Sequence, residues 1–232
     1  MSKKLEELLE RFSKEKDPFF DLRLEMVEKQ IKERGITEER ILKAFLAIPR
    51  HIFVPEKMRV FSYEDTPLPL FEGQTISQPY IVALMVELLE PNEDKHILEI
   101  GTGSGYESAI LSLLNKYVYT VERIKDLSDY AKEKLKELSI SNVYFHVGDG
   151  SEGFSDFAPY DGIICSAAAP DIPEPYIEQL NPGGIIVIPI GDRFYQDLVK
   201  VIKTKTGLKK EYYGPCVFVP LIGKYGFEEN VD

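Results

Sequence analysis

Cysteine, histidine and tryptophan are scarce in this sequence. Its 232 residues include two cysteines, three histidines and no tryptophan. Cys165 and Cys216 lie in separate apolar stretches, which is typical of buried, reduced thiols in a cytoplasmic protein. The sequence has no Cys-x-x-Cys pair and no Cys/His cluster, so it gives no indication of a zinc site or of another metal site.

Long apolar runs and an excess of positive charge are also missing. No run of about 18 apolar residues occurs, and the N-terminus lacks the apolar centre of a signal peptide, so we expect a cytoplasmic protein without a membrane span. The chain carries 28 Lys and Arg against 39 Asp and Glu, a formal net charge of -11. Because proteins that bind the nucleic acid backbone usually have a basic face, we expect no nucleic acid partner.

The first 60 residues are predicted to form helices. Apolar residues recur at helical spacing over residues 3–13, in a second segment that ends near Gly35, and in a third that ends before Pro49. A loop rich in Pro and Gly follows. Another helix is predicted to start around Pro79, because proline costs little in the first turn of a helix.

After residue 95 the pattern changes to alternating strands and helices. Apolar strands are predicted at residues 96–101, 117–122, 143–149, 160–168 and 185–191. The alternation predicts an α/β fold with a buried, mostly parallel sheet. Residues 196–204 and 208–221 predict an antiparallel C-terminal hairpin at the sheet edge. The last ten residues are polar and are predicted to form a tail.

A glycine-rich turn after the first of these strands is the strongest chemical signal. Gly101, Gly103 and Gly105 lie between a strand and a helix, where glycine lets the backbone turn tightly and lets a ligand approach the helix N-terminus. A dinucleotide fingerprint would need glycine at Tyr106, and no phosphate-loop G-K-[ST] follows. From the turn alone, a tight connection without a ligand stays open as the alternative interpretation.

Acidic residues end the next two strands. Glu122 is placed to accept hydrogen bonds from both ribose hydroxyls of a nucleoside, and Asp149 to accept one from an adenine amino group. Taken singly, each residue has an equally good alternative interpretation: Glu122 as an exposed strand-end charge and Asp149 as a turn residue beside Gly150. Because ligands of open α/β sheets bind at the carboxyl ends of the strands, the combination favours an adenosine site.

Longer segments resemble the protein-L-isoaspartate (D-aspartate) O-methyltransferase family. They are LEIGTGSGYESAIL, VGDGSEGFSDFAPYDGIICSAAAPDIPEPYIEQLNPGGIIVIPIG and YEDTPLPLFEGQTISQPYIVALM, with IPRHIFVP and VFVPL in addition. GQTISQP is the most specific of these motifs. The resemblance implies a class I, Rossmann-like methyltransferase fold and S-adenosylmethionine as cofactor, with S-adenosylhomocysteine as product. It also implies methylation of the α-carboxyl of isoaspartyl residues in damaged proteins and peptides, and leaves open whether D-aspartyl residues are accepted.

The resemblance implies roles for individual residues. Ser77 matches the active-site serine, which would contact the substrate. The residues that match the cofactor side are Thr75, Ile76, Glu99, Gly101, Gly103, Ser104, Glu122, Asp149 and Gly150. The late segment 217–221 matches one that borders the peptide site, with Val219 and Pro220 as its substrate-binding residues.

Three segments depart from the usual family pattern. PLPLFEGQTIS replaces PLPIGxGQTIS, GYESA replaces GYQAA, and DGIICSAA replaces DAIIVTAA. The first departure predicts a different course for the loop before the serine. We divide the chain into N-terminal helices with a substrate-side loop (residues 1–75), a methyltransferase domain (76–222) and a tail (223–232).

Ser77 raises a chemical question, because no His, Asp, Glu or Lys lies between Gly73 and Val82. An isoaspartyl carboxylate is already ionised at pH 7, since carboxyl pKa values are about 3.3 to 4. A methyl group leaves a sulfonium without help from an acid. The serine therefore needs only to hold the carboxylate by an uncharged hydrogen bond. The alternative is that Ser77 caps the following helix, which contributes about 0.5–2 kcal/mol.

Two other functions stay open at this point. One is a related methyltransferase that acts on a small molecule or on RNA, against which the acidic charge and GQTISQP count. The other is a binding or scaffold protein that holds S-adenosylmethionine without catalysis, against which the intact Ser77 and Glu122 count. The sequence indicates no oligomeric state.

Overall fold

The structure is a computed structural model, and it describes residues 3–229. The strands are β1 (Leu68–Pro69), β2 (Thr75–Ile76), β3 (His96–Ile100), β4 (Tyr117–Glu122), β5 (Val143–Val147), β6 (Tyr160–Cys165), β7 (Leu180–Gly191), β8 (Gln196–Thr204) and β9 (Gly207–Cys216). The α-helices are α1 (Lys3–Arg11), α2 (Phe20–Glu25), α3 (Glu39–Ala47), α4 (Pro79–Leu88), α5 (Tyr106–Leu114), α6 (Lys125–Glu137) and α7 (Glu174–Glu178).

A seven-stranded sheet forms the centre of the molecule, in the order β5-β4-β3-β6-β7-β8-β9. The strands from β5 to β7 in this order are parallel to one another, and β8 and β9 are antiparallel. β3 and β6 are buried along nearly their whole length, as their uninterrupted apolar sequences require. The predicted α/β sheet and its C-terminal hairpin are confirmed.

The chain reverses its direction across the sheet at β3. From β3 it proceeds through β4 to the edge strand β5, and it then returns to the other side of β3 as β6. The loops that follow β3 and β6 therefore diverge. Such a switch point leaves a crevice at the carboxyl ends of the strands, where open α/β sheets bind ligands.

The predicted N-terminal helices are confirmed, with one local difference. α2 continues as a π-helical turn, Met26–Ile31, and a 3-10 turn, Lys32–Arg34, before Gly35 ends it with a left-handed φ of 106°. The buried apolar side chains of these helices belong to one core cluster that extends from Leu5 to Leu198. This core crosses the boundary between residues 75 and 76, so the division into domains stays a prediction.

Two expectations near the C-terminus need correction. β9 ends at Cys216 rather than at residue 221. The next residues pair with the segment after β6 instead: Ala168 donates its N–H to the carbonyl of Val219 and accepts the N–H of Leu221. The pattern alone could not separate a strand from this second pairing, because an apolar, extended segment suits both.

The part of the tail that the structure describes, residues 223–229, is not a free polar tail. Lys224 donates its N–H to Asp149 Oδ2 at 2.8 Å, and Tyr225 donates its N–H to Ser151 Oγ at 2.9 Å. The tail therefore folds back onto the loop after β5. The rest of the predicted tail, residues 230–232, lies outside the described residues.

Two features are absent from residues 3–229. None of the helices there combines the length and the apolar character needed to cross a membrane. In the same range, no three His, Cys, Asp or Glu side chains gather as a metal site would require.

Candidate active site

A cleft of about 710 Å³ opens at the carboxyl ends of β3, β4 and β6. The residues expected in the site that line it are Thr75, Ile76, Ser77, Gly101, Gly103, Ser104, Glu122, Gly150, Val219 and Pro220. Glu99 and Asp149 do not line it. The cleft volume falls within the range of about 300–1,000 Å³ that is usual for small-molecule and cofactor sites.

The loop that carries Ser77 is a small hairpin. β1 and β2 pair antiparallel, with Leu68 opposite Ile76, and Gly73 adopts a left-handed φ of 66° in the turn. The ring of Phe71 packs edge-on against that of Tyr130 on α6, with ring centres 5.1 Å apart. The unusual PLFEG sequence thus forms a turn that packs against helix α6.

Ser77 does not cap α4. That helix begins at Pro79, its N-cap residue is Gln78, and no side chain makes a capping hydrogen bond there. The capping alternative is therefore wrong. Within residues 3–229 the Ser77 hydroxyl has no protein partner, so in the cleft wall it can donate to a ligand.

Arg50, which the sequence analysis did not single out, anchors the Ser77 segment. Its Nη2 donates to the carbonyl of Ser77 at 2.7 Å and its Nε donates to that of Ser62 at 2.8 Å. The guanidinium carbon lies 4.9 Å from the ring centre of Tyr106, which lines the cleft. Burial lowers the pKa of Arg50 to about 10, so the side chain stays charged at pH 7. In the sequence, the position of Arg50 within the family segment IPRHIFVP was the only indication of a role for it.

Replacing Arg50 with methionine should lower the free energy of unfolding by about 2–4 kcal/mol, because the buried carbonyl of Ser62 and the partly buried carbonyl of Ser77 lose their donor. Urea denaturation measures this change. Arg40→Met is the matched control, since Arg40 is 41% exposed, pairs with Glu38 and donates to a single carbonyl, that of Pro91. Its replacement should cost no more than about 1 kcal/mol. Equal losses in the two variants would contradict the anchoring role.

Glu122 holds the glycine turn in place. Its Oε2 accepts the N–H of Gly103 and its Oε1 accepts the N–H of Ile124, each at 3.0 Å. A carboxylate offers about four lone-pair positions, so capacity for two ligand hydroxyls is left.

Gly105, the third glycine of the turn, allows close packing against α6. A Cβ on Gly105 would lie 2.9 Å from the Cβ of Ala131 on that helix.

Asp149 is engaged with the protein itself. Its Oδ1 accepts both the N–H and the hydroxyl of Ser151, at 2.8 and 2.7 Å, and its Oδ2 accepts the N–H of Lys224. These bonds fix the loop that brings Gly150 into the cleft wall. A contact between Asp149 and adenine stays a prediction, whereas the bonds to Ser151 and Lys224 are visible in the structure.

Two acidic side chains, Glu99 on β3 and Glu107 on α5, lie close enough for the charge of one to act on the other. Glu99 is fully buried and accepts the hydroxyl of Ser108. Glu107 lines the cleft and accepts the hydroxyl of Ser166 at 2.5 Å, and its Oε1 has no hydrogen-bond partner. Burial, and next the charge of Glu107, raises the pKa of Glu99 to about 8, and burial raises the pKa of Glu107 to about 7. In the sequence, Glu107 was marked only by the departure of GYESA from the usual GYQAA, which places Glu at this position.

The raised pKa values predict that stability falls with rising pH. The folded protein retains protons at these two carboxyls that the unfolded chain releases above its pKa of about 4.5. The free energy of unfolding should therefore decrease as the pH rises from 5 to 8. Glu107→Gln should reduce this decrease by about 1–3 kcal/mol, measured by urea unfolding at both pH values. Glu133→Gln, on the exposed face of α6, should leave it unchanged. Parallel pH profiles for the wild type and Glu107→Gln would contradict the prediction.

Comparison with known proteins decides the family. The model of the protein-L-isoaspartate(D-aspartate) O-methyltransferase family matches residues 22–226. The chain belongs to this family. A protein-L-isoaspartate O-methyltransferase of Petrotoga mobilis is 52% identical over 204 residues, which cover 87% of this chain and 96% of the relative. One of Dictyoglomus thermophilum is 49% identical over 218 residues, which cover 94% and 99%.

Solved structures agree with this membership. One protein-L-isoaspartate O-methyltransferase superposes with a TM-score of 0.79 at 31% identity, over 88% of this chain and 67% of its own. A Plasmodium falciparum structure described as the same type of enzyme, in complex with S-adenosyl-L-homocysteine, gives 0.74 at 25% identity, over 86% and 98%. The expected class I fold, enzyme class and cofactor are confirmed.

Proposed function

We propose that the cleft at β3, β4 and β6 is where this enzyme transfers a methyl group from S-adenosylmethionine to the α-carboxylate of isoaspartyl residues in damaged proteins and peptides. The observation that carries this assignment is the free hydroxyl of Ser77 in the wall of the cleft that also contains the glycine turn and Glu122. The enzyme works in the cytoplasm on protein substrates, without a nucleic acid or membrane partner.

The residues present suit the cofactor. S-adenosylmethionine supplies a methyl group on a positively charged sulfur. Gly101 and Gly103 expose backbone to the cleft, and Glu122 has lone pairs left for ribose hydroxyls. Glu107 lines the same cleft, and the negative charge of its carboxylate form suits a cofactor that carries positive charge.

On the substrate side, Ser77 would donate one hydrogen bond to the carboxylate. The N-terminus of α4 adds a partial positive charge there, since Gln78 and Ile81 also line the cleft. Neither group carries a formal charge that would weaken the carboxylate as a nucleophile. Val219 and Pro220 present apolar surface that excludes water from the reacting oxygen. Orientation of this kind contributes about 7–11 kcal/mol in favourable cases.

A paired-peptide assay tests the proposal. The enzyme is mixed with methyl-labelled S-adenosylmethionine and two peptides that differ only in an Asp or isoAsp linkage. Base-labile label on the isoAsp peptide alone is the expected result. Absence of label on both peptides, with cofactor binding shown by calorimetry, would refute the proposal and favour a scaffold that holds the cofactor.

A further inference from the structure

Three of the large apolar side chains in residues 3–229 are more exposed than all others there, and they lie close together in the fold. They are Phe194, Tyr195 and Val217, with 78%, 82% and 82% of their surface exposed. Tyr195 directly precedes β8 and Val217 directly follows β9, and these two strand ends pair through Gln196 and Cys216. We call the three residues the aromatic rim. Val217 also lines the cleft, so the aromatic rim continues the cleft wall outward.

The turn that carries the two rings is firmly built. Asp192 Oδ1 accepts the N–H groups of Phe194 and Tyr195 at 2.7 and 2.8 Å, and Asp192 donates its own N–H to the carbonyl of Tyr195 at 3.0 Å. The turn therefore holds both residues in one backbone conformation. The turn thereby keeps the apolar area of two aromatic side chains exposed to water, and this exposure does not stabilise the fold.

The turn is also fastened to the cleft wall. The buried side chain of Gln196 accepts the N–H of Phe218 at 2.7 Å and donates to the carbonyl of Phe218 at 3.3 Å. Phe218 lies between Val217 and Val219, which both line the cleft. On its other side, the turn is tied to the tail, because Arg193 donates to the carbonyl of Glu228 at 2.7 Å. With Asp192 and Arg193 both engaged in the fold, the rings of Phe194 and Tyr195 are the main surface that the turn presents to a partner.

We propose that the aromatic rim is a subsite for an apolar or aromatic side chain of the substrate, located near the isoaspartyl residue in sequence. This inference rests on the proposed function. An extended peptide whose isoaspartyl residue lies at Ser77 would leave the cleft along the segment with Val217 and Val219. Because the rim is continuous with that wall, the peptide is the occupant that the geometry favours. The subsite would select damaged segments that expose apolar side chains, as unfolded regions do.

The test compares isoaspartyl peptides that are identical except for one flanking position, which holds Phe or Ala. Each of the three positions on either side of the isoaspartyl residue is substituted in turn, and KM and kcat are measured for each peptide. The wild type should prefer Phe at one or more positions by about 10-fold in kcat/KM, mainly through KM. In the double variant Phe194→Ser, Tyr195→Ser this ratio should fall to about one.

Tyr212→Ser is the matched control. Tyr212 is 66% exposed on the same hairpin, but it pairs with Val199, away from the strand ends that carry the aromatic rim, so its loss should leave the ratio unchanged. A wild type without a Phe preference, or a double variant that keeps it, would overturn the subsite while the proposed function stands. Dimerisation of the wild type that the double variant abolishes, with an unchanged Phe preference, would assign the rim to a second copy instead. If the wild type methylates no isoaspartyl peptide, the proposed function itself fails and the subsite with it.

Discussion

Ser77→Ala should lower kcat for an isoaspartyl peptide by about 100-fold, because the hydrogen bond that orients the attacking carboxylate is lost. The free energy of unfolding should change by less than about 0.5 kcal/mol, since Ser77 caps no helix. This pairing of a large kinetic loss with intact stability separates a substrate contact from a structural serine. Initial rates and urea denaturation measure the two quantities.

Two comparisons sharpen the Ser77 experiment. Ser155→Ala removes an exposed hydroxyl outside the cleft and should change neither quantity. Calorimetry with S-adenosylhomocysteine should give the same affinity for Ser77→Ala as for the wild type, because the serine is assigned to the substrate. Unchanged kcat in Ser77→Ala would remove the serine from the mechanism, and a matching loss of cofactor affinity would move it to the cofactor side.

Glu122→Ala should weaken the binding of S-adenosylhomocysteine by about 100-fold or more. Part of the loss is direct, because charge-assisted bonds to ligand hydroxyls contribute about 1.5–3 kcal/mol each. The other part is indirect, since the partly buried N–H groups of Gly103 and Ile124 lose their acceptor and the glycine turn loosens. Isothermal titration calorimetry measures the dissociation constant.

Glu122→Gln separates these two parts. The amide oxygen can still accept one of the two backbone bonds, so the turn should stay closer to its native position while the charge is lost. We expect an affinity between those of the wild type and Glu122→Ala. Glu133→Ala, which removes the same charge from the exposed face of α6, should bind as the wild type does. Native affinity in Glu122→Ala would show that the ribose is held elsewhere.

The local patterns predicted the fold because each depends on neighbouring residues in the chain. The uninterrupted apolar strands could only be buried on both faces, and the turn of Gly101, Gly103 and Gly105 could only join a strand to a helix. The family motifs, which occur in the usual order, then identified which residues should line the cleft. All expected site residues except Glu99 and Asp149 line the cleft, and their individual roles stay predictions.

Contacts between distant segments could not be predicted in the same way. Arg50 reaches Ser77 across 27 positions, and Lys224 reaches Asp149 across 75. Neither pairing leaves a periodic or spaced pattern in the sequence. The same holds for Gln196 and Phe218, which join the exposed turn to the cleft wall.

By itself, the sequence determined the layered α/β fold, the family and the position of the serine and the glycine turn, because short-range patterning and motif order carry that information. Only the tertiary structure decided how these parts are held: Arg50 behind Ser77, Glu107 beside Glu99, and Asp149 tied to the tail. Burial and hydrogen bonding depend on which side chains meet in space, and that is set only when the whole core closes around them.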